Sequence, residues 1–187
     1  CFGYWLTNSS GNNPEKIAFL EKDVAEGSND KWYDNSTSNY TLYAETDDGD
    51  VLFNTQIDEI EAEDFIETSD GNFLIVGHYE YDSKIVKTDN LGNIIWSELN
   101  APNGAVDDNF NFVVQNNTDY VSLGIWDNPS NGWFSRLLAI NENGNEIFDV
   151  SSNGGSEVFG GISNRGLKST EANELIFTCT TIPLFFI

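Results

Sequence analysis

Short apolar runs alternate with polar ones along most of this chain, and the period is two. Two patterns recur. The first is a strand, a polar turn, Gly, Asn or Asp, and a strand ending in an aromatic. It reads Leu42-Tyr-Ala-Glu-Thr-Asp-Asp-Gly-Asp-Val-Leu-Phe53, Ile85-Val-Lys-Thr-Asp-Asn-Leu-Gly-Asn-Ile-Ile-Trp96 and Leu137-Leu-Ala-Ile-Asn-Glu-Asn-Gly-Asn-Glu-Ile-Phe148. Gly49, Gly92 and Gly144 each precede an aromatic by four residues. Glycine reaches the positive φ that a tight hairpin turn demands, and alternation on either side gives each strand one core face. The second pattern is a strand, a short polar turn and a more apolar strand: Phe65–Gly77, Phe112–Gly124 and Leu167–Cys179. Small residues at 77 and 124 suit a close approach of backbones.

The two patterns interleave, so two hairpins make a four-stranded unit that recurs every 43–55 residues or so. Units of that size and strand number are the blades of β-propellers. The expected class is therefore all-β, with tandem four-stranded antiparallel repeats forming a partial propeller. One such unit cannot bury both faces, so neighbours must stack. Residues 14–33 fit the pattern least. Pro14 to Gly27 could be a short helix, but a strand over Ile17–Leu20 from a degenerate first unit is preferred. The expected organisation is a tether over 1–13 and a single repeat domain over 14–187, truncated at its C-terminal end. Two and a half units do not close a ring, which leaves an open β edge for a protein partner or further repeats to cover.

The hairpin pair Asp70–Gly77 and Ile85–Trp96 resembles the repeat of secreted or lipid-anchored propeller proteins of Bacteroidota-type bacteria. The match is best over residues 65–99. The resemblance implies a propeller-like fold and an extracytoplasmic location. It implies no activity, because the repeat carries no catalytic residue.

Composition narrows the function classes. The 31 acidic and 8 basic residues leave a formal net charge of −23. That charge excludes nucleic acid as a natural partner and opposes binding to anionic membranes. No apolar run approaches the ~20 residues that span a bilayer as a helix. The chain opens on Cys1 and contains no Met, as a processed chain does. A mature chain with N-terminal Cys looks like a bacterial lipoprotein, so Cys1 is the candidate lipidation site and the lipid the expected link to an outer membrane or cell surface. The alternatives are a disulfide to Cys179 and a Cys1 that is only the boundary of a fragment.

Candidate chemistry is sparse. The acidic turns Thr46–Asp50 and Thr88–Asn93 offer oxygens to Ca²⁺, but neither completes an EF-hand loop, and hairpin turns alone explain their composition. The run Asp58–Asp64 reads as a solvated connector. His78, the single histidine, reads as a loop residue; no Gly-x-Ser-x-Gly elbow accompanies it. No catalytic residue or metal site is assigned. Trp126 and Trp133 flank the polar segment Asp127–Gly132. They could stack on a sugar or hold a protein, or end two facing strands and pack on each other. The leading expectation is a lipid-anchored binding or scaffold module that docks on a larger cell-envelope assembly. The rivals are a fragment of a polysaccharide-acting propeller enzyme, whose paired carboxylates the sequence does not single out, and a Ca²⁺-dependent adhesive repeat protein.

Overall fold

The three Gly-bearing turns are built alike. In a computed structural model of the chain, Gly49, Gly92 and Gly144 have φ of 84°, 82° and 83°. Around each, two backbone bonds close the hairpin: Thr46 N to Asp50 O and Gly49 N to Thr46 O, and the equivalents at 89–93 and 141–145. The first residue of each turn adds a side-chain acceptor. Thr46 Oγ1 takes the Asp50 amide at 3.1 Å, and Asp89 Oδ1 takes the Leu91 and Asn93 amides at 2.9 and 2.8 Å. Asn141 Oδ1 takes the Asn143 and Asn145 amides at 2.9 and 3.1 Å.

The structure describes residues 6–7, 16–22, 40–46, 48–130, 132–151, 167–169 and 175–177. The described elements are strands alone: β1 Leu6–Thr7, β2 Lys16–Lys22, β3 Tyr40–Thr46, β4 Val51–Ile57, β5 Glu61–Glu67, β6 Phe73–Tyr79, β7 Asp82–Thr88, β8 Ile94–Leu99, β9 Asp107–Asn116, β10 Asp119–Asn128, β11 Gly132–Ile140, β12 Glu146–Ser151, β13 Leu167–Ser169 and β14 Leu175–Phe177. They pair in chain order as antiparallel meanders. Sheet 1 is β1–β4, sheet 2 is β5–β8, sheet 3 is β9–β12, and β13–β14 form a two-stranded hairpin. Neither a closed barrel nor a closed ring of sheets is seen among the described residues.

Within the segment that fits the repeat least, residues 16–22 form a strand. β2 pairs with β3 along its length, from Lys16↔Thr46 to Lys22↔Tyr40. Leu6 and Thr7, inside the stretch expected to be a tether, pair with Ala18 and Ile17. The first unit is thus a full four-stranded sheet, so the count of two and a half units was one short: three four-stranded sheets and a hairpin are described. Two further expectations change. Glu61 begins β5, so the acidic run Asp58–Asp64 is half strand, and Ile60 within it is buried. His78 lies inside β6, opposite Glu61 and Ser83, not in a loop.

Sheet 2 is buried on both faces. Phe73, Ile75 and Val86 pack with Leu20, Leu42 and Ile57 of sheet 1. Leu74, Val76 and Ile85 pack with Phe110, Tyr120 and Leu138 of sheet 3. Successive residues of β6 thus serve two different cores, which is why Phe73-Leu-Ile-Val76 reads as a continuous apolar run.

Bulges recur as regularly as turns. In the outer hairpin of each sheet the register shifts just after the turn, leaving Leu52, Ile95 and Ile147 as the extra residues. In the inner hairpins of sheets 2 and 3 it shifts beside Gly77 and Gly124. There a Cβ would stand 1.9 Å from Glu61 O and 2.1 Å from Asn109 O. The strand backbones approach too closely for any side chain, as a glycine at a bulge allows.

Candidate functional site

Two features of the stack bear on function: the polar seam between sheets 2 and 3, and the way each outer strand receives the next sheet.

The seam is built by charged side chains that strands β5, β7, β9 and β11 turn inward. Asp64 of β5 reaches across to accept the Val113 amide of β9 at 2.9 Å, and also accepts its neighbour Phe65 N at 2.9 Å. Burial pushes its carboxyl up to about 6, against those two bonds, with Glu63 adding repulsion. Asp108 of β9 is 1% exposed and accepts the Ser83 amide of β7 at 3.0 Å. Burial raises its carboxyl above the usual range, while Ser83 and Arg136 oppose the shift. Arg136 of β11 is 2% exposed. Its guanidinium lies 3.5 Å from Asp108, bonds to Asp149 at 2.8 Å, donates to the Asn100 carbonyl and side-chain oxygens, and sits over the Phe110 ring. Lys87 Nζ of β7 donates to Tyr120 Oη of β10 at 2.8 Å and lies 3.5 Å from Asp70. Burial works against its charge, but Tyr120 and Asp70 outweigh it and hold the ammonium above the usual lysine value.

Lys84 is also buried, 3.6 Å from Glu59. Among the described side chains, every basic residue (Lys84, Lys87 and Arg136) is thus drawn inside, and the described surface is left acidic. None of these three basic residues is singled out by the sequence reading. A signal was present: with 8 basic residues in the chain, those of Lys84-Ile-Val-Lys87 and Phe134-Ser-Arg-Leu-Leu138 stand in apolar strands.

The receiving geometry recurs. The β7–β8 turn of sheet 2 lies on β4 of sheet 1: a Cβ on Gly92 would be 2.7 Å from Thr55 Oγ1 and 2.9 Å from the Phe53 ring, and Thr55 Oγ1 donates to Leu91 O at 3.4 Å. The β11–β12 turn of sheet 3 lies on β8 of sheet 2. Trp96 Nε1 donates to Glu142 O at 3.3 Å, and a Cβ on Gly144 would be 3.4 Å from Glu98 Oε1. In both seams the closing aromatic and the residue two beyond it receive the next turn. The corresponding pair on β12 is Phe148 and Val150, which are 36% and 58% exposed. At the other end of the stack, nothing lies within 4 Å of a Cβ on Gly49.

The proposed site residues fall as follows. Trp126 is half-buried on β10, stacked on Phe134 with ring centroids 4.7 Å apart, and its Nε1 donates to Ser151 Oγ at 3.1 Å. The ladder sets Phe134 opposite Trp126 and Asp127 opposite Trp133, so the two tryptophans stand on facing strands, one position out of direct register; the Trp133 side chain lies outside the described residues. Cys1 and Cys179 also lie outside them. In the turn 89–93, the Asn93 side chain, then the Asn93 and Leu91 amides, hold the Asp89 carboxyl below its ordinary value. Its oxygens thus serve the turn. Among the described residues no group of three His, Cys, Asp or Glu side chains converges on a point that could hold a metal ion, and no helix is long and apolar enough to cross a membrane. His78 Nε2 lies 3.4 Å from Glu61. The chain matches no protein-family model and no curated protein.

Proposed function

We propose that this chain is an extracytoplasmic binding or scaffold module, anchored by lipid at Cys1, whose sheets are blades of a propeller-type array and whose terminal face docks on a larger cell-envelope assembly. The observation that carries the reading is the repeated seam: the same two positions receive a neighbour on β4 and on β8 and stand exposed on β12. A face already used twice for packing is ready-made for a third partner. The resemblance over residues 65–99 supports the location.

Two measurements test the reading. Intact mass of the N-terminal peptide from native membranes is expected to show a lipid-modified Cys1; an unmodified Cys1 there contradicts the anchor. The purified chain is expected to release no sugar from a panel of polysaccharides. Turnover would replace the scaffold reading with the glycan-acting one.

A further inference from the structure

The dipeptide Asn-Gly stands at 103–104, 131–132, 143–144 and 153–154. It is a labile pair, because a glycine, lacking a Cβ, leaves its own amide nitrogen open to meet the preceding Asn side chain. The fold treats two of these pairs in opposite ways; Asn131 and residues 153–154 lie outside the described residues.

Asn143 and Gly144 are locked in a hairpin turn. The Gly144 amide donates to Asn141 O at 3.0 Å, and the Asn143 amide donates to Asn141 Oδ1 at 2.9 Å. The turns at Asp48-Gly49 and Asp70-Gly71 occupy the glycine amide in the same way, on Thr46 O at 2.9 Å and Thr68 O at 2.8 Å. The turn at Asn103-Gly104 is built differently. It closes one residue later, through Ala105 N to Pro102 O at 3.1 Å, so its glycine amide is not the donor. Both residues are exposed, and Gly104 has a φ of 85°. Among the described residues, neither the Gly104 amide nor the Asn103 side chain has a hydrogen-bond partner.

We propose that Asn103 is a site of spontaneous modification in the folded chain, closing to a succinimide with Gly104 and opening to aspartate or isoaspartate. Gly104 N attacks Asn103 Cγ and forms the ring C–N bond. The bond from Cγ to the side-chain nitrogen breaks, and that nitrogen leaves as ammonia with the proton that Gly104 N gives up. Water then adds to either ring carbonyl and opens the ring. The net change is amide and water to carboxylic acid and ammonia, so water is the sole co-reactant.

Position gives the modification its consequence. Asn103 lies between β8 and β9, in the connection from sheet 2 to sheet 3. One end of that connection is fixed by Asn100, whose amide donates to Ser83 O at 2.8 Å and whose two oxygens accept Arg136. The other end is fixed by Val106 N, which donates to Asp127 O at 3.1 Å. Isoaspartate inserts a methylene into the main chain between these anchors. Either product adds a carboxylate to a chain whose formal net charge is already −23.

The test is prolonged incubation of the purified chain at mildly alkaline pH, folded and, in parallel, unfolded in guanidinium chloride. Peptide mass spectrometry locates each amide that has become an acid, and electron-transfer fragmentation marks isoaspartate. In the folded chain Asn103 is expected to convert at least about tenfold faster than Asn143, because reaching Gly144 N first requires its hydrogen-bonded turn to open. In the unfolded chain the two sites are expected to convert at comparable rates. Asn103→Gln, whose longer side chain closes a ring far more slowly, is expected to remove the conversion at 103. Equal conversion of Asn103 and Asn143 in the folded chain overturns the inference. So does an Asn103 that stays intact when folded but converts when unfolded. A preference for Asn103 that persists undiminished in guanidinium chloride also overturns it, by assigning the selectivity to neighbouring sequence.

Discussion

Two kinds of residue hold this fold to one arrangement: glycines where backbones nearly touch, and charges drawn inside the seam. Gly77 and Gly124 need no special φ, so their requirement is steric. Gly77→Ala would set a methyl 1.9 Å from Glu61 O, where backbone on both sides leaves nothing flexible to yield. The substitution is expected to destabilise the chain by about 1–3 kcal/mol or more, the usual penalty of overpacking, measured by urea unfolding. The charges follow another logic. Removing Arg136 strands Asp108, which is 1% exposed and already disfavoured in its ionised form by burial. Arg136→Met is expected to cost on the order of 3–5 kcal/mol. The double variant Arg136→Met/Asp108→Asn is expected to recover part of that loss, because Asn still accepts the Ser83 amide without a buried charge.

At the scale of the element, the unit is a hairpin with a Gly turn, a bulge and an aromatic, and most of it was legible. Gly49, Gly92 and Gly144 predicted their turns because positive φ is a backbone demand that one residue meets without strain. The bulges were hidden, because Leu52, Ile95 and Ile147 look like ordinary strand residues until the register is known. β2 was ambiguous: Lys16-Ile-Ala-Phe-Leu-Glu-Lys22 has apolar spacing that serves a helix as well as a strand, and its pairing with β3 decides the matter. Asp64 was misread as solvated because its neighbours are acidic, and the amide it accepts, Val113, lies in another sheet. Its role predicts a pH effect whose sign is fixed. The carboxyl ionises near 3.8 when unfolded and at about 6 when folded, so between those values the folded chain holds the extra proton. Stability from this group is present below pH ~4 and falls as pH rises through 6. Asp64→Asn is expected to remove that fall, seen as a smaller difference between urea midpoints at pH 4.5 and 7 than the parent shows.

Across the whole molecule, stacking and charge oppose each other. Hydrophobic faces draw the sheets together, and a formal net charge of −23, with the described basic side chains buried, pushes the surface apart. Raising NaCl from about 10 to 150 mM shortens the screening length from roughly 30 to 8 Å, and the melting temperature is expected to rise. The repeat made the stack itself readable, since a unit with two apolar faces must have neighbours on both. What the sequence could not show was where each neighbour sits, because Phe53, Trp96 and Phe148 look alike in sequence, while the next turn lies on the half-buried Phe53 and Trp96, and Phe148 is 36% exposed. Sheet 2 is seated on sheet 1 through Gly92. Gly92 and Gly49 share a positive φ of 82° and 84°, so alanine brings the same backbone strain to both, and only Gly92 has a neighbouring sheet above it. Urea unfolding of Gly92→Ala and Gly49→Ala compares them: Gly92→Ala is expected to lose more stability, by on the order of 1 kcal/mol or more, and equal losses would mean that the turn does not bear on sheet 1.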